Sequence, residues 1–282
     1  MDVDAYLARI GAARPKRTDA AALRELQRRH LLSVPFENLS IHLSEPIVLD
    51  EAALVDKVVR RRRGGFCYEL NGAFGALLSR LGFSVSMLAA RVFGPGGLGP
   101  PYDHLTLRVE IPGKATGNGG RDGDEDGDGD GSDGAAEVWL ADVGFGRFSH
   151  LPFRLDAGEA EQTDPAGVFR VVEQPDGDLD IVMNGEPQFR LDPRPRALGD
   201  FEATCWWHQT SPKSHFTRSL VCSLATESGR VTLSDRRFVR TTDAGREERV
   251  LADDADVIAA YRRYFGITLD RVPSVRTGPD LG

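Results

Sequence analysis

The stretch GGFCYELNGAFGALLSRLGFS, residues 64–84, is where the character of this chain turns from helix to sheet. Its apolar residues Leu70, Ala73, Phe74, Leu77, Leu78 and Leu81 fall at helical spacing. Cys67 lies three residues before Leu70 and seven before Phe74, so it shares the inward stripe, in the first turn of the helix. A thiol so placed is shielded by packing and sits at the positive end of a helix dipole, which favours thiolate over thiol. From Ser84 the hydrophobic period changes to two.

Upstream, Asp50 can cap a helix whose apolar face is Leu54, Val55, Val58 and Val59. Its last turn carries Arg60 to Arg63, favourable against the C-terminal dipole, and Gly64-Gly65 stops it. That arginine run reads as a solvated helix end rather than a nucleic-acid patch. Thr18 or Asp19 can cap an earlier helix bearing Leu23 and Leu26, which ends before Pro35. Residues 1–83 therefore read as helical. Downstream, His104 to Ile111 alternates, with Leu105, Leu107, Val109 and Ile111 on one face and Pro112-Gly113 ending the run. A second strand follows at Glu137 to Val143. Shorter ones fall around Phe169 to Val172 and Leu179 to Met183, joined by Pro175-Asp176-Gly177. The end of the chain mixes strand-like pieces, Leu220 to Ala225 and Arg230 to Leu233, with a helix near Asp254 to Phe265 stopped by Gly266. Helices, then an antiparallel sheet or barrel, then a mixed segment make an α+β protein in three parts.

At 282 residues, 40% hydrophobic and 28% charged, the composition is that of a soluble globular protein with room for more than one core. The net charge of −8 is local: seven acidic residues between Asp122 and Asp133 supply most of it, leaving about −1 elsewhere. Charge therefore argues for neither nucleic-acid nor polyanion binding. Three cysteines make no disulfide framework, and neither a leader pattern nor a membrane-length apolar run occurs. A reduced cytoplasmic enzyme, binding neither nucleic acid nor membrane, is the expectation; the oligomeric state is not legible.

Residues 114 to 136 are rich in Gly and Asp and read as a disordered loop. Asp126, Asp128 and Asp130, with Gly131 and Glu137, match the spacing of an EF-hand calcium loop. Any Asp-Gly repeat satisfies most of that pattern. The flanking helices it requires are missing, and its usually apolar eighth position is Asp133. No metal is expected in the chemistry.

The strands on either side of this loop can form a hairpin. If Ile111 pairs near Ala135, His104 lies opposite Asp142 on one face, with Cβ atoms ~5 Å apart. The insert then sits at the hairpin tip, ~23 Å from the His104 end. Cys67, His104 and Asp142 become nucleophile, base and orienter in chain order. Each has a plainer alternative: a packing cysteine, a surface histidine at a strand start, and an aspartate holding a turn.

Five stretches resemble the arylamine N-acetyltransferases. Arg63 to Gly72 is similar to their active-site signature, and Val34-Pro35-Phe36-Glu37-Asn38-Leu39 to their I-P-F-E-N-L. Tyr6 to Gly11 resembles their Y-L-x-R-I-G, and Asp142-Val143-Gly144-Phe145-Gly146 their D-V-G-F-G. Thr210 to Phe216 resembles a segment near the coenzyme A site. The resemblance implies an N-terminal helical bundle (1–83), a central antiparallel β-barrel (84–198) with the acidic insert, and a C-terminal α/β lid (199–282). The triad geometry would be like that of papain-type thiol proteases and transglutaminases. It implies acetyl transfer from acetyl-CoA to an arylamine, arylhydrazine or N-hydroxyarylamine by a ping-pong route. Cys67 would be acetylated, His104 the base and Asp142 its orienter. Phe36 and Phe145 would line the acceptor pocket, and Gly144, Trp207 and Ser214 would approach coenzyme A. Arg63 and Glu37 would form a structural ion pair. Two features depart from the family pattern: the insert, which stretches the His104-to-Asp142 interval, and Lys213, where small residues often occur.

Three rival readings remain. An amide synthase of the same fold, closing a macrolactam from a carrier-bound polyketide, would use the same triad. A thiol protease would leave the other motifs unexplained. A calcium-binding interaction protein would act through the acidic loop.

Overall fold

The computed structural model describes residues 1–113 and 135–275. The acidic loop and its calcium-like pattern, Glu137 apart, lie outside the described residues.

Helices Val3–Ile10, Ala20–Ser33 and the one starting at Glu51 are each opened by an aspartate, Asp2, Asp19 and Asp50, whose carboxylate accepts a first-turn backbone N–H. The third of these stays α-helical only to Val55, and Asp56–Arg60 winds as a π-helical turn. The wider turn carries Lys57 and Val58 inward, while Arg60, Arg61 and Arg62 stay exposed. Arg63 departs from the expected solvated run: only 4% exposed, it points back into the protein. Gly64 and Gly65 do more than end a helix. A Cβ at Gly64 would collide with the Pro35 carbonyl, and the Glu37 N–H donates to the Gly65 carbonyl at 2.9 Å. Here two backbones touch, so residues 1–83 are not wholly helical. Phe36–Glu37 is a two-residue strand pairing with Cys222–Thr226, far too short to show a period.

Helix Cys67–Arg80 is buried from Cys67 to Leu78. Gly75 lets the sheet lie close on it, since a Cβ there would come within 3.2 Å of the Leu107 side chain. That sheet runs, in spatial order, Phe153–Arg154, Glu137–Ala141, His104–Ile111, Ser84–Gly94, Glu186–Arg196, Leu179–Met183, Gly167–Glu173 and Gln162–Asp164, all antiparallel. It curls into a nearly closed barrel. Alternation sorts its two faces. Leu105, Leu107, Val109 and Ile111 pack on the helices, whereas Leu88, Ala90, Leu140, Phe169, Ile181 and Phe189 fill the barrel.

The C-terminal sheet runs Phe36–Glu37, Cys222–Thr226, Gly229–Ser234, Arg237–Thr242 and Gly245–Val250. Helix Asp254–Ala260 and the π-helical turn Tyr261–Phe265 pack on it through Val257, Tyr261 and Phe265, and Gly266 ends the run at φ 67°. Helix Glu202–Thr210 and the short helix His215–Arg218 complete this part. No helix of the described residues is long and apolar enough to cross a membrane.

Candidate active site

The hairpin forms with a different register from the one expected. Ile111 pairs with Glu137 and Leu107 with Ala141, two residues away, and Ala135 and Ala136 stay exposed outside the ladder. Alternation fixes only the parity of a register, because a shift of two returns every side chain to the same face. His104 and Asp142 are therefore diagonal rather than directly opposed, yet still on one face. Asp142 lies just past the end of its strand, and its Oδ2 reaches His104 Nε2 at 2.6 Å.

Asp142 is almost wholly enclosed. Its Oδ1 accepts from Asn71 Nδ2 (2.9 Å), the Gly144 N–H (2.8 Å) and the Phe145 N–H (3.1 Å). Burial pushes its carboxyl up, but His104, Asn71 and the Gly144 amide outweigh it and hold the group below the usual carboxylate range. A carboxylate only accepts, so Nε2 of His104 carries the proton on this side and Nδ1 is left for another partner. The imidazole is packed edge-on against Phe145, with ring centroids 5.0 Å apart, and leans on Phe189 at 5.3 Å.

Cys67 opens its helix directly after Phe66, whose extended backbone makes the break, and whose N–H donates to Glu69 at 3.2 Å. The thiol is 4% exposed, and Asp103 O lies 4.0 Å from its Sγ. Burial pushes the Cys67 thiol well above the ordinary range; the Leu105 backbone works against that, and the Asp142 and Asp103 carboxylates add to it. A helix N-terminus alone does not make this thiol a thiolate. The charged form needs a cationic partner, and a protonated imidazole is the group that can supply one.

Asn71, four residues on from Cys67, was not singled out by sequence. Its Nδ2 donates to Leu105 O (2.7 Å) and to Asp142, and its Oδ1 accepts the Val143 N–H at 2.9 Å. One amide thus clamps the nucleophile's helix to one strand of the hairpin and to the segment that leaves the other. The signal was available, since a polar side chain one turn after the cysteine on an inward stripe calls for buried partners. Gly144 completes the junction, because a Cβ there would lie 2.6 Å from Cys67 Cα. Gly144→Ala should therefore displace the nucleophile and slow turnover roughly tenfold, read as kcat/KM with the melting temperature as control.

Cys67, His104, Gly144, Phe36, Phe145 and Trp207 all line one cavity of about 1040 Å³. Its inner wall is aromatic, with Phe36, Phe145, Phe148 and Phe216. Its outer wall is basic: the exposed Arg147, Lys213 and Arg218 line it, and further in Arg230 donates to Gly146 O (2.9 Å) and Ser223 Oγ (3.0 Å); none of the four makes an ion pair among the described residues. A near-neutral body thus conceals a concentrated cationic face. Ser214 lies behind this wall. It is 1% exposed, and its Oγ accepts the Phe216 N–H at 3.2 Å as a helix cap, so the backbone rather than the cavity claims it. Arg63 and Glu37 are paired at 3.0 Å, within a buried cluster that adds Glu45 and, through Ser40, the Lys57–Glu69 pair. Glu137, the last position of the calcium-like pattern, is held by the Trp139 indole and by Arg154. Among the described residues no group of three or more His, Cys, Asp or Glu could hold a metal ion.

A family model described as N-acetyltransferase matches residues 19–116 and 132–274. An arylamine N-acetyltransferase of Mycolicibacterium smegmatis is 34% identical over 95% of this chain and 93% of its own. The solved arylamine N-acetyltransferase of Salmonella typhimurium superposes with a TM-score of 0.79 at 29% identity, covering 98% of this chain and 94% of that one. That of Mycobacterium marinum, solved in complex with CoA, gives a TM-score of 0.75 at 31% identity, covering 94% and 93%. The chain belongs to the arylamine N-acetyltransferase family. Members of that family are acyltransferases, and this chain is an enzyme of that class. Its solved relatives share the mixed helix-and-sheet fold with a barrel-like antiparallel sheet.

Proposed function

We propose that this enzyme acetylates small arylamines or arylhydrazines with acetyl-CoA, by a ping-pong route through an acetyl thioester on Cys67. The observation that carries the reading is the buried 2.6 Å His104–Asp142 contact, opening with Cys67 onto a cavity that is aromatic within and basic without. The basic wall suits the coenzyme's phosphates, and the CoA complex of the Mycobacterium marinum relative supports that choice of donor.

In this reading Nδ1 of His104 takes the thiol proton, giving a thiolate–imidazolium pair that the low-dielectric site favours over a lone thiolate. Sulfur attacks the thioester carbonyl, its bond to the acetyl carbon forms, and the bond to the coenzyme sulfur breaks. The leaving thiolate takes the proton from His104. One thioester replaces another, so the exchange is nearly balanced. The amine then attacks the acetyl-enzyme, its N–H proton passes to His104, and the Cys67 sulfur leaves and is reprotonated. Aromatic amines suit this step because they are neutral at pH 7 and can stack on Phe36 or Phe145. The parts divide the labour, with 1–83 carrying the nucleophile, 84–198 the base and orienter, and 199–282 much of the basic wall.

Mass spectrometry after mixing with acetyl-CoA should show one added acetyl group, placed on Cys67 by digestion and released by an arylamine. An unmodified Cys67 would sink the proposal and favour another acyl donor. Lys213→Glu should raise KM for acetyl-CoA about tenfold with little change in kcat, the difference shrinking as salt is added.

A further inference from the structure

A second carboxylate–imidazole pair faces the same cavity, and nothing in the chemistry above uses it. His208, on helix Glu202–Thr210, is 2% exposed. Its Nε2 lies 3.0 Å from Asp103 Oδ1 but has no directed hydrogen bond, and its Nδ1 is 3.2 Å from Ser214 Oγ. The order Ser214, His208, Asp103 is that of a serine hydrolase triad, but the serine hydroxyl is sealed from the cavity as a helix cap. It cannot meet a substrate.

Asp103 is the informative member. It immediately precedes His104, and its backbone carbonyl faces Cys67 Sγ at 4.0 Å while accepting the Tyr68 hydroxyl at 3.2 Å. Its carboxylate accepts the Val92 N–H at 3.3 Å, and Gly99 leaves it room, since a Cβ there would overlap it. One residue therefore touches the nucleophile through its backbone and the C-terminal part of the chain through its side chain. The groups around His208 are Asp103, Tyr68 (ring centroids 6.1 Å) and His215 (6.4 Å), with Phe66 and Phe216 set perpendicular to its ring. The neighbouring Trp207 lines the donor cavity.

We propose that His208 and Asp103 form a positioning latch, in which the helix bearing Trp207 holds the Asp103 peptide and thereby seats His104 for proton exchange with Cys67. The inference rests on the acetyl-cysteine reading above. Because Asp103 adjoins the base rather than the substrate, a loosened latch costs rate at saturating donor rather than donor affinity.

The test is single-turnover acetylation of the full chain over a range of acetyl-CoA concentrations, with the pH profile of Cys67 alkylation by iodoacetamide measured without coenzyme. In His208→Leu and in Asp103→Asn the saturating rate should fall roughly ten- to a hundredfold, with half-saturation nearly unchanged. The alkylation profile should move to higher pH in both. The double variant should be no slower than the worse single one, and His208→Gln should recover the rate to within about threefold. Asp103→Asn is nearly isosteric and carries the test if His208→Leu does not fold. Weaker donor binding at an unchanged saturating rate, or additive effects in the double variant, would overturn the latch. Failure of the wild-type protein to take acetyl on Cys67 would instead overturn the reading beneath it.

Discussion

Asp142→Asn should lower the rate of Cys67 acetylation roughly ten-thousandfold while leaving the fold intact. The magnitude follows from the commitments of Oδ1. Three donors, Asn71 Nδ2 and the amides of Gly144 and Phe145, converge on that atom, so an asparagine at 142 must keep its carbonyl oxygen there. Its NH2 group is then forced toward His104 Nε2. A donor facing a donor is untenable, so the imidazole moves its proton to Nδ1. That nitrogen is the one left for the thiol, and once protonated in the neutral ring it can no longer accept. The charge that steadies an imidazolium is lost at the same stroke. Quenched-flow acetylation compared with thermal melting checks this; a loss below tenfold at unchanged stability would remove Asp142 from the mechanism.

Asn71→Leu should lower stability by about 3–5 kcal/mol, because it orphans Leu105 O and the Val143 N–H in a dry interior, and each buried unpaired group costs ~1–3 kcal/mol. Asp142 itself loses less, since two amides and His104 remain on it. Urea unfolding should show the midpoint falling at constant slope. Acetylation should also slow, because the clamp between the Cys67 helix, the His104 strand and the Asp142–Val143 segment is gone. A midpoint within error of the wild type would mean that the three hydrogen bonds of Asn71 are not what holds these elements together.

What could be read from residues alone followed how far each signal repeats. The run from His104 to Ile111 carries four alternations, enough to assign both its faces and hence the side on which His104 lies. Register carries no such redundancy: any even shift satisfies the same pattern, so the pairing differed by two while the His104–Asp142 contact survived. Phe36–Glu37 offers no repeat at all. Gly245–Val250 hides for another reason, being exposed along its whole length, so burial leaves no imprint on its composition. Ser214 shows a second use that a motif does not display, because a serine opening a helix also serves the backbone. The buried state of Cys67 was legible from its stripe, but the consequence for its proton was not. Dipole and burial act in opposite directions, and the balance depends on partners brought in from other parts of the chain.

The two-residue strand Phe36–Glu37 also bears on how the molecule is made. It finds its partner strand only at Cys222–Thr226, and the cavity wall continues to Arg246. A ribosome releases the nucleophile, base and orienter long before it releases that partner, and chains fold from the N-terminus as they emerge. Between the release of Asp142 and that of Arg246 the triad residues exist with no completed cavity around them, and the last strands to be translated close the cavity onto which the thiol opens.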